Sequence, residues 1–225
     1  MSKEAMKKAA GYKAAELIQN GMQIGLGTGS TVFYFIERLI SRCKEGLQIR
    51  AIASSKHSYD LAKKGGVPLL DIETITHLDL TVDGADEIDA KKRLIKGGGG
   101  ALVREKIVAA MSKELIIIID ETKRVFALGK CKLPVEVIPF AKQATLHHIK
   151  KAGYTGHFRT QEDKTLYITD NGNYILDIHF ENLRDTPEKD HEKLLHIPGV
   201  VDTGFFFNLT GRVITGFADG QVVVN

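Results

Sequence analysis

A lysine followed by four glycines leads into a helical pattern: Lys96-Gly97-Gly98-Gly99-Gly100-Ala101-Leu102-Val103-Arg104-Glu105-Lys106. Glycine loses more backbone freedom on ordering than any other residue, so a run of it weakens a packed element. Its use is the close approach of bare backbone to a ligand. Lys96 places a cation beside that backbone, and Glu105 brings a carboxylate able to act as a base. By residue type alone Glu105 also fits a surface glutamate between Arg104 and Lys106. Its position raises it, because the glycine run carries the helix start toward whatever the loop holds.

Three more clusters have chemical potential. Gly25-Leu26-Gly27-Thr28-Gly29-Ser30-Thr31 lies between a strand pattern and a helix pattern. Backbone N–H groups at a helix start, with the helix dipole, suit an anion, and Thr28, Ser30 and Thr31 add hydroxyls. A phosphate is the natural guest; the alternative is a tight turn capped by Ser30. A dinucleotide fits less well, since position 30 is serine and the second strand ends in Ser54-Ser55-Lys56 instead of an acid. No Gly-Lys-Ser/Thr follows, so this is not a P-loop.

Asp83-Gly84-Ala85-Asp86-Glu87-Ile88-Asp89 is an acidic loop. Small residues such as Gly84 and Ala85 let a ligand lie against backbone, while Asp83 and Asp86 accept hydroxyls, as sugars demand. Asp86 or Asp89 could instead cap a helix, or the acids could be solvated. So many acids also invite Mg²⁺ or Ca²⁺, but the spacing matches no calcium loop. Asp120-Glu121-Thr122-Lys123 follows the most apolar run, and Lys123 reads either as an anion ligand or as an ordinary surface lysine.

The elements that must position these residues follow from periodicity. Helices are expected over 3–20, 31–43, 58–64 and 101–111, and strands over 22–26, 49–53, 67–70, 78–82 and 115–119. Apolar strands alternating with helices indicate a parallel sheet covered on both faces, with ligands gathered beyond the strands' carboxyl ends. The polar and glycine-rich runs at 25–31, 54–56, 83–89 and 120–123 fall at such ends. From Pro134 the pattern changes. Strands over 134–139, 154–159, 166–169, 174–180 and 199–207, with helices over 141–152 and after Thr186-Pro187, give roughly a β-α-β-β-α-β order. Two tail strands, 213–217 and 221–224, are expected to return to the first domain. The fold class is therefore α/β: a Rossmann-like, mostly parallel sheet with helices on both faces, plus a smaller α+β domain of ferredoxin-like order. The domains are 1–130 with 208–225, and 131–207.

The chain has 225 residues, 43% hydrophobic and 26% charged, with a formal net charge of +3. Its basic residues are scattered, which argues against nucleic acid. No apolar run approaches the ~20 residues of a membrane span, and the first residues lack a signal-peptide core. Cys43 and Cys131 have no metal-like spacing and are expected as inert buried thiols in a reducing cytoplasm.

Gly-Thr-Gly-Ser-Thr at 27–31, Asp-Gly-Ala-Asp-Glu at 83–87 and the Lys96–Lys106 run together resemble ribose-5-phosphate isomerase of the A type. So do Val135-Glu136-Val137-Ile138-Pro139 and Asp170-Asn171-Gly172-Asn173, in order and at family-like spacing. The resemblance implies interconversion of ribose 5-phosphate and ribulose 5-phosphate in the non-oxidative pentose phosphate pathway. It implies no metal or organic cofactor, and a homodimer or homotetramer. It makes Glu105 the general base and Asp83, Asp86 and Lys96 further active-site residues. Thr28, Gly29, Ser30, Thr31, the backbone of Gly97, Gly98 and Gly99, and Lys123 would hold substrate. Thr81, where an aromatic is common, and the His57-Ser58 pair depart from the family pattern.

Moving a carbonyl between C1 and C2 requires a base at the C2 proton and donors for the enediolate oxygen. A helix start and neighbouring cations lower a carboxyl pKa, whereas burial raises it, so Glu105 is expected to be partly buried. Sugar-phosphate deaminases and acyl-CoA transferases share the general sheet architecture. A sugar-phosphate sensor of a transcription regulator would need a helix-turn-helix, and only one helix precedes the first strand. Phe205-Phe206-Phe207 reads as core packing or as a subunit contact.

Overall fold

The structure is a computed structural model describing residues 1–225. In chain order the elements are α1 (Lys3–Glu16), β1 (Gln23–Leu26), α2 (Ser30–Lys44), β2 (Arg50–Ala53), α3 (Lys56–Lys64), β3 (Leu80–Asp83), β4 (Glu87–Ile88) and β5 (Leu94–Ile95). Then come α4 (Leu102–Ala110), β6 (Leu115–Asp120), β7 (Leu133–Val137), α5 (Lys142–Lys151), β8 (Thr155–Phe158) and β9 (Tyr174–His179). The last are α6 (Pro187–Leu195), β10 (Val200–Thr203), β11 (Phe205–Phe206), β12 (Thr210–Gly216) and β13 (Val222–Val224).

The chain divides into two compact units. The first comprises residues 1–85, 104–123 and 209–225. Its six-stranded sheet has the order β13-β12-β6-β3-β1-β2, parallel except for β13. Strand β6 is buried at every residue, as a central parallel strand of Leu and Ile should be. Burying each such side chain contributes about 1.5–3 kcal/mol. Helix α2 buries Val32, Phe35, Ile36 and Leu39, a spacing that lays one apolar stripe on the core. The tail strands join this sheet, β12 beside β6.

The second unit comprises residues 86–103 and 124–208. Its four-stranded antiparallel sheet runs β10-β7-β9-β8, with α5 joining β7 to β8 and α6 joining β9 to β10. That is the ferredoxin-like order. A small three-stranded sheet, β11-β5-β4, belongs to the same unit. It moves residues 86–103 out of the first domain, where the sequence had put them, because β5 pairs with β11. The acidic loop is therefore half hairpin. Asp89 caps no helix: its carboxylate accepts from the backbone N–H groups of Lys91 and Arg93 and pairs with the Arg93 side chain at 2.6 Å.

Several expected strands differ. Residues 67–70 make a single bridge, Ala51 to Leu69, because Pro68 has no N–H to extend the ladder. Residues 166–169 make isolated bridges to two different partners, Thr160 and Tyr174. The stretch 199–207 breaks at Gly204 into β10 and β11, which lie in different sheets. A Cβ at Gly204 would come within 2.3 Å of the Lys96 carbonyl oxygen, so the switch depends on glycine. Thr186 precedes α6 with Pro187 in its first turn, but the threonine side chain makes no capping bond. Phe205 and Phe206 are core residues, each 1% exposed. Cys43 and Cys131 are half-buried, not fully buried as expected, and no disulfide joins them.

Candidate active site

In the first unit the glycine loop expected to hold an anion and the first aspartate are built together. Gly29 precedes α2 at φ 116°, a conformation that favours glycine, and no side chain caps that helix start. Ser30 is the first helical residue, so the capping alternative fails. Gly29 and Ser30 are exposed, and Thr31 is buried at 9% exposure. The Thr28 hydroxyl lies 2.9 Å from Ser54 Oγ and 2.8 Å from Ser55 Oγ. Ser58 donates to the Gly27 carbonyl at 2.6 Å, which ties the glycine loop to α3.

Asp83 ends β3 and is fully buried. Its Oδ1 accepts from the backbone N–H groups of Thr28 at 3.0 Å and Gly84 at 2.7 Å. Gly27 lies against it so closely that a Cβ there would sit 2.1 Å from Asp83 Oδ1. Glycine at 27 thus serves packing, while glycine at 29 serves conformation. Glu105 stands in the first turn of α4 and is 4% exposed. It is not a surface glutamate. Arg104 and Lys106 beside it are both only partly exposed, as is Lys123, which closes a short 3₁₀ turn after β6. In that turn Asp120 Oδ1 accepts from the Thr122 N–H at 3.1 Å.

The second unit carries the other half of the expected residues. Asp86 accepts from the Gly98 N–H at 2.7 Å. Lys96 is 2% exposed, its ammonium 5.4 Å from the Phe206 ring centroid. Gly97 and Gly100 have φ of 97° and 79°, and the Gly100 N–H donates to the Gly97 carbonyl at 2.9 Å. The glycine run is therefore a tight turn that leaves Gly98 and Gly99 exposed. Within the acidic loop, Glu87 accepts from the N–H groups of Gly129, at 2.8 Å, and Cys131.

Three residues with no local sequence signal act on that turn. Arg159 donates to the carbonyls of Gly97 at 3.2 Å and Gly98 at 2.9 Å. Asp177 grips its other end at 2.9 and 2.6 Å. The Tyr167 hydroxyl donates to the Gly99 carbonyl at 3.0 Å. Burial pulls the Asp177 carboxyl upward, yet the bonds from Arg159 and Lys132 outweigh it and hold the group below its ordinary range. Burial pushes the Tyr167 hydroxyl up.

A parallel α/β sheet with an uncapped helix start and a buried carboxylate at its strand ends is the architecture of small-molecule-binding α/β proteins. Within that class, this chain belongs to the ribose 5-phosphate isomerase A (phosphoriboisomerase A) family, whose profile matches residues 50–220. A ribose-5-phosphate isomerase A from Protochlamydia amoebophila is 52% identical over 218 residues, covering 97% of this chain and 94% of the relative. One from Bacillus mycoides is 48% identical, covering 96% and 97%. Among solved structures, ribose 5-phosphate isomerase from Plasmodium falciparum superposes with a TM-score of 0.94 at 38% identity, covering 99% of this chain and 98% of that one. A D-ribose-5-phosphate isomerase in complex with phospho-erythronic acid also gives 0.94, at 37% identity, covering 100% and 99%.

Proposed function

We infer that this protein is an aldose–ketose isomerase that interconverts D-ribose 5-phosphate and D-ribulose 5-phosphate, with Glu105 as the proton-transferring base. The observation that carries the mechanism is the burial of Glu105 in the first turn of the helix that the glycine run opens. A carboxylate withdrawn from water there has no solubility role to explain it. The related structure with phospho-erythronic acid supports the substrate class, since that ligand is a phosphorylated sugar acid.

In the forward direction Glu105 takes the C2 proton of the open-chain aldose. The C–H electron pair becomes the C1–C2 double bond, and the C1 carbonyl oxygen becomes an oxyanion. Lys96 and the glycine-run N–H groups stabilise that oxyanion, a contribution of about 3–4 kcal/mol per donor. Glu105 then returns its proton to C1, while O2 loses its proton to become the ketone and O1 gains one. Asp83 and Asp86 carry these hydroxyl protons and assist ring opening, with Gly84 and Ala85 offering bare backbone to the sugar. Thr28, Gly29, Ser30, Thr31 and Lys123 hold the phosphate, which anchors the reacting end. No step calls for a metal or an organic cofactor. We place the protein in the cytoplasm as a homodimer or homotetramer; no helix is long and apolar enough to cross a membrane.

Incubating the purified protein with ribose 5-phosphate, with and without a chelator, tests this. Ketose formation that a chelator leaves unchanged supports it. Binding without turnover overturns it in favour of a sensor.

A further inference from the structure

We propose that Arg159, gripped by Asp177, is a positioning residue: it sets the peptide planes of the glycine run so that the Gly99 N–H is presented to the substrate oxygen that becomes charged. This rests on the isomerase reading and adds to it a source for the loop's order. A four-glycine turn has little intrinsic reason to hold one conformation, yet an oxyanion donor must be fixed before the reaction.

The geometry supplies the fixing. Arg159 follows β8 and is 11% exposed at its side chain. Its Nε and Nη2 donate to the two oxygens of Asp177, which lies on β9 opposite His157 of β8 and is 1% exposed. That fork–fork pair fixes the guanidinium plane. The remaining nitrogen, Nη1, donates to both the Gly97 and Gly98 carbonyls. In a trans peptide the C=O and the following N–H point in opposite directions. Holding those two carbonyls on Arg159 therefore turns the N–H groups of Gly98 and Gly99 to the opposite side. The Gly98 N–H is seen there, on Asp86 Oδ2 at 2.7 Å. The Gly99 N–H has the same orientation and makes no hydrogen bond within the chain. Tyr167 fixes the next plane through the Gly99 carbonyl, and its ring lies under the guanidinium, 5.6 Å from centroid to Cζ.

Lysine cannot replace this arginine, because one ammonium on a flexible stem cannot span a carboxylate and two carbonyls in a fixed plane. It does keep a cation beside Asp177. Arg159→Lys in the full chain is therefore the test, with Tyr167→Phe as a milder second variant. Arg159→Lys is expected to lower kcat for ribose 5-phosphate by about tenfold or more, by misaligning an oxyanion donor, with KM changed by less than about threefold. Amide exchange over 97–100 in the protein without ligand should rise by about tenfold while the rest of the second unit keeps its rates. Tyr167→Phe should lower kcat by about twofold to fivefold. Unchanged kcat in a folded Arg159→Lys protein overturns the proposal, as does exchange that rises equally throughout the chain. If the unsubstituted protein fails to isomerise, the isomerase reading falls, and the exchange measurement still decides whether Arg159 orders the turn.

Discussion

Replacing Gly27 with alanine tests the packing beneath the candidate site. The added Cβ would lie 2.1 Å from Asp83 Oδ1, 2.2 Å from its Cγ and 2.6 Å from its Cα. The nearest of these falls about 1.3 Å short of ordinary contact. Rotating the side chain cannot relieve it, because the Cα of Asp83 belongs to β3, inside the parallel sheet. One strand end must shift, and with it the carboxylate that accepts from Thr28 and Gly84. Overpacking of this kind costs about 1–3 kcal/mol, or about 2–12 °C of melting temperature for a chain of this size. A shift of about 1 Å at a catalytic group also lowers turnover by about a hundredfold. Gly84→Ala is the control: a Cβ there meets nothing closer than 3.7 Å, so its stability should stay within about 0.5 kcal/mol. Circular dichroism melts on both variants read the packing effect, and ribose 5-phosphate turnover on Gly27→Ala reads the displacement of Asp83. If Gly27→Ala melts within about 1 °C of the unsubstituted protein and keeps its turnover, the contact is not what holds Asp83.

Two further outcomes concern the second unit. Glu87→Ala strands the buried N–H of Gly129 and that of Cys131, and should cost about 2 kcal/mol or more in urea denaturation. Asp177 titrates below its ordinary 3.8, so the unfolded chain binds that proton more tightly than the folded one. Its stabilising contribution is then complete above about pH 4 and is lost as acid carries the pH down through the folded-state value. Asp177→Asn should be less stable at pH 7 yet lose stability less steeply below pH 4, read from urea midpoints across that range; equal acid slopes would falsify the assignment.

The two halves of the fold were not equally legible. Runs such as Leu115–Ile119 announce a buried parallel strand by composition, and the stripe Val32, Phe35, Ile36, Leu39 announces a helix by period. Each signal is local and long enough to count. Strands β4, β5 and β11 have two residues each and carry no period, so the hairpin that takes residues 86–103 into the second unit had no signature. The glycine run and the acidic loop stood out by residue type. Arg159 did not, because its partners Gly97 and Gly98 lie some sixty positions away and an arginine in a polar stretch looks like any solvated cation. The burial of Glu105 was expected only from the role of base that the resemblance implies, because its two basic neighbours read as a surface stretch.

The most direct measurement is the turnover of Glu105→Gln, set beside its affinity for phospho-erythronic acid. The amide keeps the shape of the side chain and removes its basicity. The expected result is a kcat reduced by more than about a hundredfold with affinity largely kept. Turnover close to that of the unsubstituted protein would show that another group moves the C2 proton.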